Sequence, residues 1–367
     1  MSAPPTKIAD LDTPALIIDL DIMERNLRRM ADYTAQHGLR LRPHTKTHKI
    51  PALARQQIDL GAIGLTIAKV GEAEVMLAAD PPDLLLAYPI VGRRKLARLM
   101  EVAKRAPVTV SLDSLTIARE LSDAAANAQV EIGVLAEIDV GLGRVGVQPS
   151  DAVDLARNLA QLPSLRFEGI AFYPGHIKTL DDEGRKALAA LSTLLSSVVR
   201  DLKQAGLTPH IVSGGSTPTM FHSHEVAEMN EIRPGTYIFN DRNTALSGSC
   251  ALADCAASIL ATVVSTAKPG QMIIDGGSKT FSSDRTASTD VSFGHVIDAP
   301  QAVFTKMNEE HGFIDIQRAT ESFSVGDRIR IVPNHVCVAV NLHECVYGVR
   351  GDSVEQVWRV EGRGKLQ

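Results

Sequence analysis

Apolar positions follow two different rhythms along this chain. From about Asp19 to Asp241, short apolar runs alternate with amphipathic, Ala/Leu-rich stretches whose apolar residues recur at helical spacing. The runs at 39–42, 64–67, 84–87, 108–112, 132–138, 167–172, 210–212 and 236–239 predict eight strands. Each of the first seven is followed by helix-like sequence, as at 114–127 and 150–160. Strands separated by crossover helices predict an α/β fold, a (β/α)8 TIM-type barrel, with an open doubly wound sheet as the alternative the same alternation permits. No Gly-x-Gly-x-x-Gly turn follows the first strand, which counts against a dinucleotide-binding version of the open sheet.

After about Asn243 the rhythm shortens. Strand-like runs at 258–265, 272–274, 312–316, 327–332, 335–340, 345–349 and 354–360 are punctuated by Lys268-Pro269-Gly270, Val325-Gly326-Asp327 and Arg350-Gly351-Asp352. This predicts a smaller all-β domain, to which the early run 15–19 adds a strand. The expected organisation is a barrel over 20–243 and a β domain made of 1–19 plus 244–367.

Composition narrows the class. A chain of 367 residues suits one large domain and a smaller one. The net charge of −5, with both signs interspersed and no basic run, argues against nucleic acid or an anionic membrane as partner. The first residues lack an apolar targeting segment and no run is long enough to span a bilayer, so the expectation is a soluble, cytoplasmic protein. Four cysteines, Cys250, Cys255, Cys337 and Cys345, then read as reduced thiols or metal ligands.

The chemistry gathers where the predicted strands end, the face on which barrels of this kind build their sites. Lys46 follows the first strand, between His44 and His48; a lysine whose pKa falls on burial suits Schiff-base chemistry. Arg144 lies in a glycine-rich loop after the fifth strand, and Tyr173 and His176 follow the sixth. The loop of Ser213, Gly214, Gly215, Ser216 and Thr217, running on to Thr219, offers successive N–H groups and hydroxyls of the kind a phosphate needs. Lysine and phosphate loop together point to pyridoxal 5'-phosphate, with Arg144 near its phenolate oxygen and Tyr173 and His176 bordering its ring. An ordinary Gly/Ser turn and a salt bridge within the Arg144 loop are the plainer alternatives.

A second signal is His335-Val336-Cys337. On a strand these two side chains point the same way and could converge on one ion in an open site, substrate and water completing the shell. The same spacing recurs at His343 and Cys345, so a closed four-ligand zinc site stays open as an alternative.

The chain resembles the D-threonine aldolase/D-serine dehydratase family of fold-type III pyridoxal-phosphate enzymes. The resemblance runs nearly the whole length, through Asp12-Thr13-Pro14, Arg42-Pro43-His44-Thr45-Lys46-Thr47-His48-Lys49, Ala68-Lys69-Val70-Gly71-Glu72-Ala73-Glu74 and Glu137-Ile138-Asp139-Val140-Gly141. It continues in Arg233-Pro234-Gly235-Thr236-Tyr237, Asp275-Gly276-Gly277-Ser278-Lys279, Glu310-His311-Gly312, Pro333-Asn334-His335-Val336-Cys337 and Asn341-Leu342-His343.

The resemblance implies an alanine-racemase-like barrel plus β domain, and Lys46 as the catalytic residue that carries the cofactor. It also implies a phosphate cup around 213–217 with Tyr237 nearby, and a divalent cation on His335 and Cys337. Substrates would be 3-hydroxy amino acids of D configuration, and the active form a homodimer. Zinc is favoured over manganese or magnesium because a thiolate is a soft ligand.

Within the family, His-x-Cys and the Ser216-Thr217-Pro218-Thr219 loop resemble the dehydratases, which release ammonia and a 2-oxo acid. The segment His343-Glu344 is closer to the aldolases, which give glycine and an aldehyde. A racemase, for which Tyr347 could serve as second base, and a non-catalytic cofactor carrier are the remaining readings.

Overall fold

The structure, a computed structural model, describes residues 5–286 and 291–367. The chain divides into two compact units. One comprises 29–46, 51–235 and 364–367; the other comprises 1–28, 47–50 and 236–363.

The chain opens with β1 (Ala15–Asp19) and then enters the eight strands of the first sheet. They are β2 (Arg40–Leu41), β3 (Leu65–Ile67), β4 (Leu84–Leu86), β5 (Val108–Leu112), β6 (Ile132–Ile138), β7 (Leu165–Phe172), β8 (Ile211–Gly214) and β9 (Glu231–Ile232). All neighbours are parallel, in the order β2-β9-β8-β7-β6-β5-β4-β3. Hydrogen bonds from Ile63 N to Leu41 O (2.9 Å) and from Thr66 N to Pro43 O (2.8 Å) bring the two ends of this series together. The arrangement is TIM-like. Crossover helices cover a parallel sheet on both faces, and β4, β5 and β6 are buried along their whole length. Leu85, Leu135, Ala171 and Ile211 pack together among them.

One expected strand is corrected. Residues 236–239 do not close the barrel; Thr236–Ile238 is a 3-10 turn, and the eighth strand is the two-residue β9 just before it. Its Glu231 is fully buried, and a buried charge breaks the apolar pattern by which a strand is recognised. Pro234, without an N–H, then ends the pairing.

The other unit is a mostly antiparallel sheet. It contains β10 (Ala257–Ser265), β11 (Gln271–Ile274), β12 (Gly294–Val296), β13 (Val303–Met307), β14 (Gly312–Asp315), β15 (Arg328–Pro333), β16 (Cys345–Arg350) and β17 (Ser353–Arg359). The early strand β1 lies between β10 and β16, so 15–19 does join this sheet. Leu11, Ala15, Ile17, Leu260 and Val349 form its core beside β1.

A second correction falls here. The run 335–340 is not a strand. After β15, His335 caps a short helix, Val336–Leu342, despite three valines that favour strand. The Asp241 carboxylate accepts the Val336 N–H at 3.0 Å and starts the helix.

Candidate functional site

In the barrel unit, the strand ends carry a buried ionic chain. Arg42 pairs with Asp83, and its Nη2 donates to Glu231 Oε2 at 3.0 Å. Glu231 Oε1 accepts the Ser213 hydroxyl at 2.6 Å, and Ser213 Oγ accepts from Arg233 Nη1, also at 2.6 Å. Arg233 Nη2 donates to Phe172 O at 3.0 Å. Glu137, held by Ser111, adds a carboxylate to the same interior. Burial raises the Glu137 pKa, against the Arg233 charge and the Ser111 hydrogen bond. Burial lowers that of Arg233, against Glu137 and Glu231. Two buried cations, Arg42 and Arg233, thus stand against the buried Glu231, while burial disfavours the charged form of Glu137 beside them.

Lys46 sits in the 3-10 turn Thr45–Thr47 and is exposed. The buried lysine of the run is Lys49, whose Nζ donates to Asn341 Oδ1 at 2.8 Å. Arg144 lies with its guanidinium carbon 4.9 Å from the Tyr173 ring centroid. The loop that carries Arg144 is tied by Asp139, whose Oδ1 accepts from Gly141 N and Gly143 N, each at 3.0 Å. These N–H groups, Gly143 first, hold the Asp139 carboxyl below its usual range. His176 lies against Gly141, where an added Cβ would stand 3.4 Å from its ring.

Ser213 and Gly214 end β8, and the Ser213 hydroxyl belongs to the ionic chain. Gly215 has φ +87°, a backbone that glycine tolerates, and turns the chain into the 3-10 helix Thr217–Glu225 headed by Ser216. Ser216 Oγ and Thr219 Oγ1 lie 3.1 Å apart. A side chain on Gly214 would collide with the Phe172 ring.

In the sheet unit, His335 and Cys337 do come together, by a helix start and not by strand alternation. His335 Nδ1 and Asp284 Oδ2 are 2.9 Å apart, which leaves the other ring nitrogen for Cys337. The hydrogen bond with Cys337 leads in holding the imidazole pKa up at about 9; burial works the other way. Thr47 Oγ1 is 3.2 Å and Thr236 Oγ1 3.8 Å from the Cys337 sulfur. Thr47 is the chain neighbour of Lys46. A ring nitrogen and a sulfur that face each other, with a carboxylate behind the imidazole, are a donor set that fits a divalent cation. Among the described residues no three metal-ligating side chains converge. His343 instead engages Ala339 O through Nδ1, at 2.8 Å.

The Tyr237 side chain is buried in the turn Thr236–Ile238 of this unit. Asp284 was missed in the reading of candidate site residues; Asp241 stood there only as the end of the last expected strand and Arg233 only within a family motif. Asp284 stands in a Ser/Asp/Arg/Thr-rich segment with no periodicity; Arg233 carried a signal, since an arginine ahead of Pro-Gly after an apolar residue is an unusual strand end.

Residues 18–243 match the family model of the alanine racemase N-terminal domain, and 256–349 that of a serine dehydratase domain. The chain is 34% identical to the 3-hydroxy-D-aspartate aldolase of Paracoccus denitrificans, over 97% of its own length and 93% of that protein's. It belongs to the alanine-racemase-fold family of pyridoxal-phosphate-dependent D-amino-acid lyases. Within this lyase family, the crystal structure of D-threonine aldolase from Filomicrobium marinum is similar with a TM-score of 0.92 and 34% identity, covering 100% of both chains. The D-threo-3-hydroxyaspartate dehydratase of Delftia sp. is 33% identical over 95% of this chain and 97% of its own. Its structure has a TM-score of 0.86 at 32% identity and covers 97% of this lyase and 99% of that chain. Structures of D-threo-3-hydroxyaspartate dehydratase as a histidine-to-alanine mutant and as a cysteine-to-alanine mutant in the metal-free form are also similar, the two mutated positions lying two residues apart.

Proposed function

We propose that this lyase is a metal-dependent dehydratase of 3-hydroxy-D-amino acids, releasing ammonia and a 2-oxo acid. The observation that carries the reading is the His335–Cys337 pair with Asp284 behind it. Its spacing is that of the histidine and cysteine mutated in D-threo-3-hydroxyaspartate dehydratase, the cysteine mutant being described as in the metal-free form.

Pyridoxal phosphate supplies an electron sink for the bond broken at Cα. Lys46 Nζ holds the cofactor and takes the α-proton of the substrate. Arg144, kept in place by Tyr173 and the Asp139-tied loop, sets a fixed positive charge by the cofactor's phenolate oxygen, and His176 borders the ring. Gly214, Gly215, Ser216 and Thr217 give the phosphate their N–H groups and hydroxyls, with Tyr237 as a further donor. Ser213 supports this cup from β8, since its hydroxyl serves Glu231 and Arg233. His335 and Cys337 hold a divalent cation, zinc ahead of manganese or magnesium because of the thiolate; the cation supplies Lewis acidity to the leaving 3-hydroxyl. Thr47 and Thr236 orient the Cys337 sulfur. The active form in this reading is a homodimer.

A retro-aldol reading, giving glycine and an aldehyde, is favoured by the TM-score of 0.92 to D-threonine aldolase. Product analysis separates the two. Purified protein with pyridoxal phosphate and zinc or manganese is offered D-serine, D-threonine and D-threo-3-hydroxyaspartate, with and without a chelator. Ammonia with a 2-oxo acid, lost on chelation, is expected; glycine with an aldehyde would replace this reading by the aldolase.

A further inference from the structure

We propose that Arg285 is a specificity-determining residue that binds a carboxylate on the substrate's 3-carbon, so that the substrate class is the 3-hydroxy-D-aspartate type. The inference rests on the lyase reading above and adds the substituent that reading leaves open.

The argument begins at Asn334, the residue before His335. Its Nδ2 donates to Asp284 O at 3.0 Å and to Ser292 O at 2.7 Å, pinning two segments beside the metal-binding pair. Asp284 is the carboxylate on His335, and Arg285 follows it directly. Ser292 is followed by Phe293, and the Arg285 guanidinium carbon lies 5.3 Å from that ring's centroid. The ring is itself fixed edge-on to Phe304, centroids 5.9 Å apart. A guanidinium laid on an anchored aromatic face is pre-oriented and loses little freedom on binding.

Its charge is also uncommitted. Arg285 is exposed and, among the described residues, makes no ion pair. Other cations of the same unit do: Lys279 with Glu309 and Glu310, Arg330 with Asp298, Arg350 with Asp21 and Glu24. A second cation, Arg242, reaches Ser292 and Asn334 in the same region. In a 3-hydroxyaspartate, hydroxyl and carboxylate share one carbon. A cation that takes the hydroxyl must therefore have the carboxylate within short reach, and a planar guanidinium pairs with it through two parallel N–H bonds.

The test compares wild type, Arg285→Leu and Arg285→Lys. In Arg285→Leu, kcat/KM for D-threo-3-hydroxyaspartate is expected to fall roughly 10–100-fold, the loss of a charged hydrogen-bonded contact, while that for D-serine changes little. Arg285→Lys should recover part of it. Calorimetric titration of the holoenzyme with D-aspartate, which lacks the 3-hydroxyl, should show weaker binding to Arg285→Leu and unaltered binding of D-alanine. An equal fall for both substrates, or no change in either ratio, overturns the assignment. If wild type turns over neither substrate, the lyase-substrate reading fails instead, and the D-aspartate titration then decides Arg285: equal affinity in wild type and variant overturns it.

Discussion

A single carboxylate, Asp284, makes His335 usable. By engaging Nδ1 it fixes the orientation of the ring and leaves the other nitrogen to face Cys337. Asp284→Asn keeps the size and loses the charge, and metal affinity is expected to drop about 10–100-fold, as measured by competition with a chromophoric chelator. Wild-type affinity in this variant would leave Asp284 without a part in the site. Lys46 is tested by its spectrum. Exposed at the turn after β2, it has room to join a carbonyl partner, and Lys46→Ala should lose the cofactor's visible absorption. A spectrum identical to wild type would assign the covalent link elsewhere. The neighbouring Lys49 is a poor substitute, since it is buried on Asn341.

Helix starts decide where His335 and Cys337, the proposed metal-binding pair, stand. Asp241 serves two of them: Oδ1 accepts from Thr244 N and Thr244 Oγ1, and Oδ2 accepts from Val336 N. It is fully buried, and burial raises its pKa against these hydrogen bonds. Asp241→Ala removes both caps and is expected to cost about 2 kcal/mol in chemical denaturation, at roughly 1 kcal/mol per cap. Asp241→Asn, which keeps an acceptor, should recover part of it. A loss confined to metal binding, with stability unchanged, would assign Asp241 to the ion and not to the helices. On the barrel side the comparable element is the turn at Gly215. A side chain there is strained at φ +87°, so Gly215→Ala should weaken cofactor retention on dialysis more than it lowers stability.

Over the whole molecule, the barrel interior gives stability a pH dependence. Burial raises the Glu137 pKa, so the folded protein holds a proton that the unfolded chain releases at about 4.3. That contribution is present below the unfolded value and is lost as pH rises through the folded one. Glu137→Gln has no such proton to lose. Its stability relative to wild type should therefore increase from pH 5 to pH 8 in urea denaturation, and a constant difference would remove Glu137 as the source.

Much of this was legible in the chain. Apolar runs at two spacings are enough for seven of the eight parallel strands and a sheet rich in antiparallel pairs, because burial on both faces and on one face leave different patterns. Even β1, far from its partners in sequence, was visible as an apolar run with no crossover helix before it. Lys46, the Gly/Ser loop and the His-x-Cys spacing are local signals, each carried by residues that stand close together in the chain. What the sequence concealed depends on distant partners. β9 is a strand because Arg42, Ser213 and Arg233 neutralise and hydrogen-bond its buried Glu231, and no window around 231 contains the first two. The valine-rich run after Pro333 is helical because Asp241, 95 residues earlier, accepts its first N–H. Asp284 faces His335 only because the chain folds back across 51 residues. Periodicity and residue type thus determined the architecture and the kinds of chemistry. The tertiary structure decided the pairings, since a buried charge or an unpaired N–H is stabilised by whatever partner the fold brings to it.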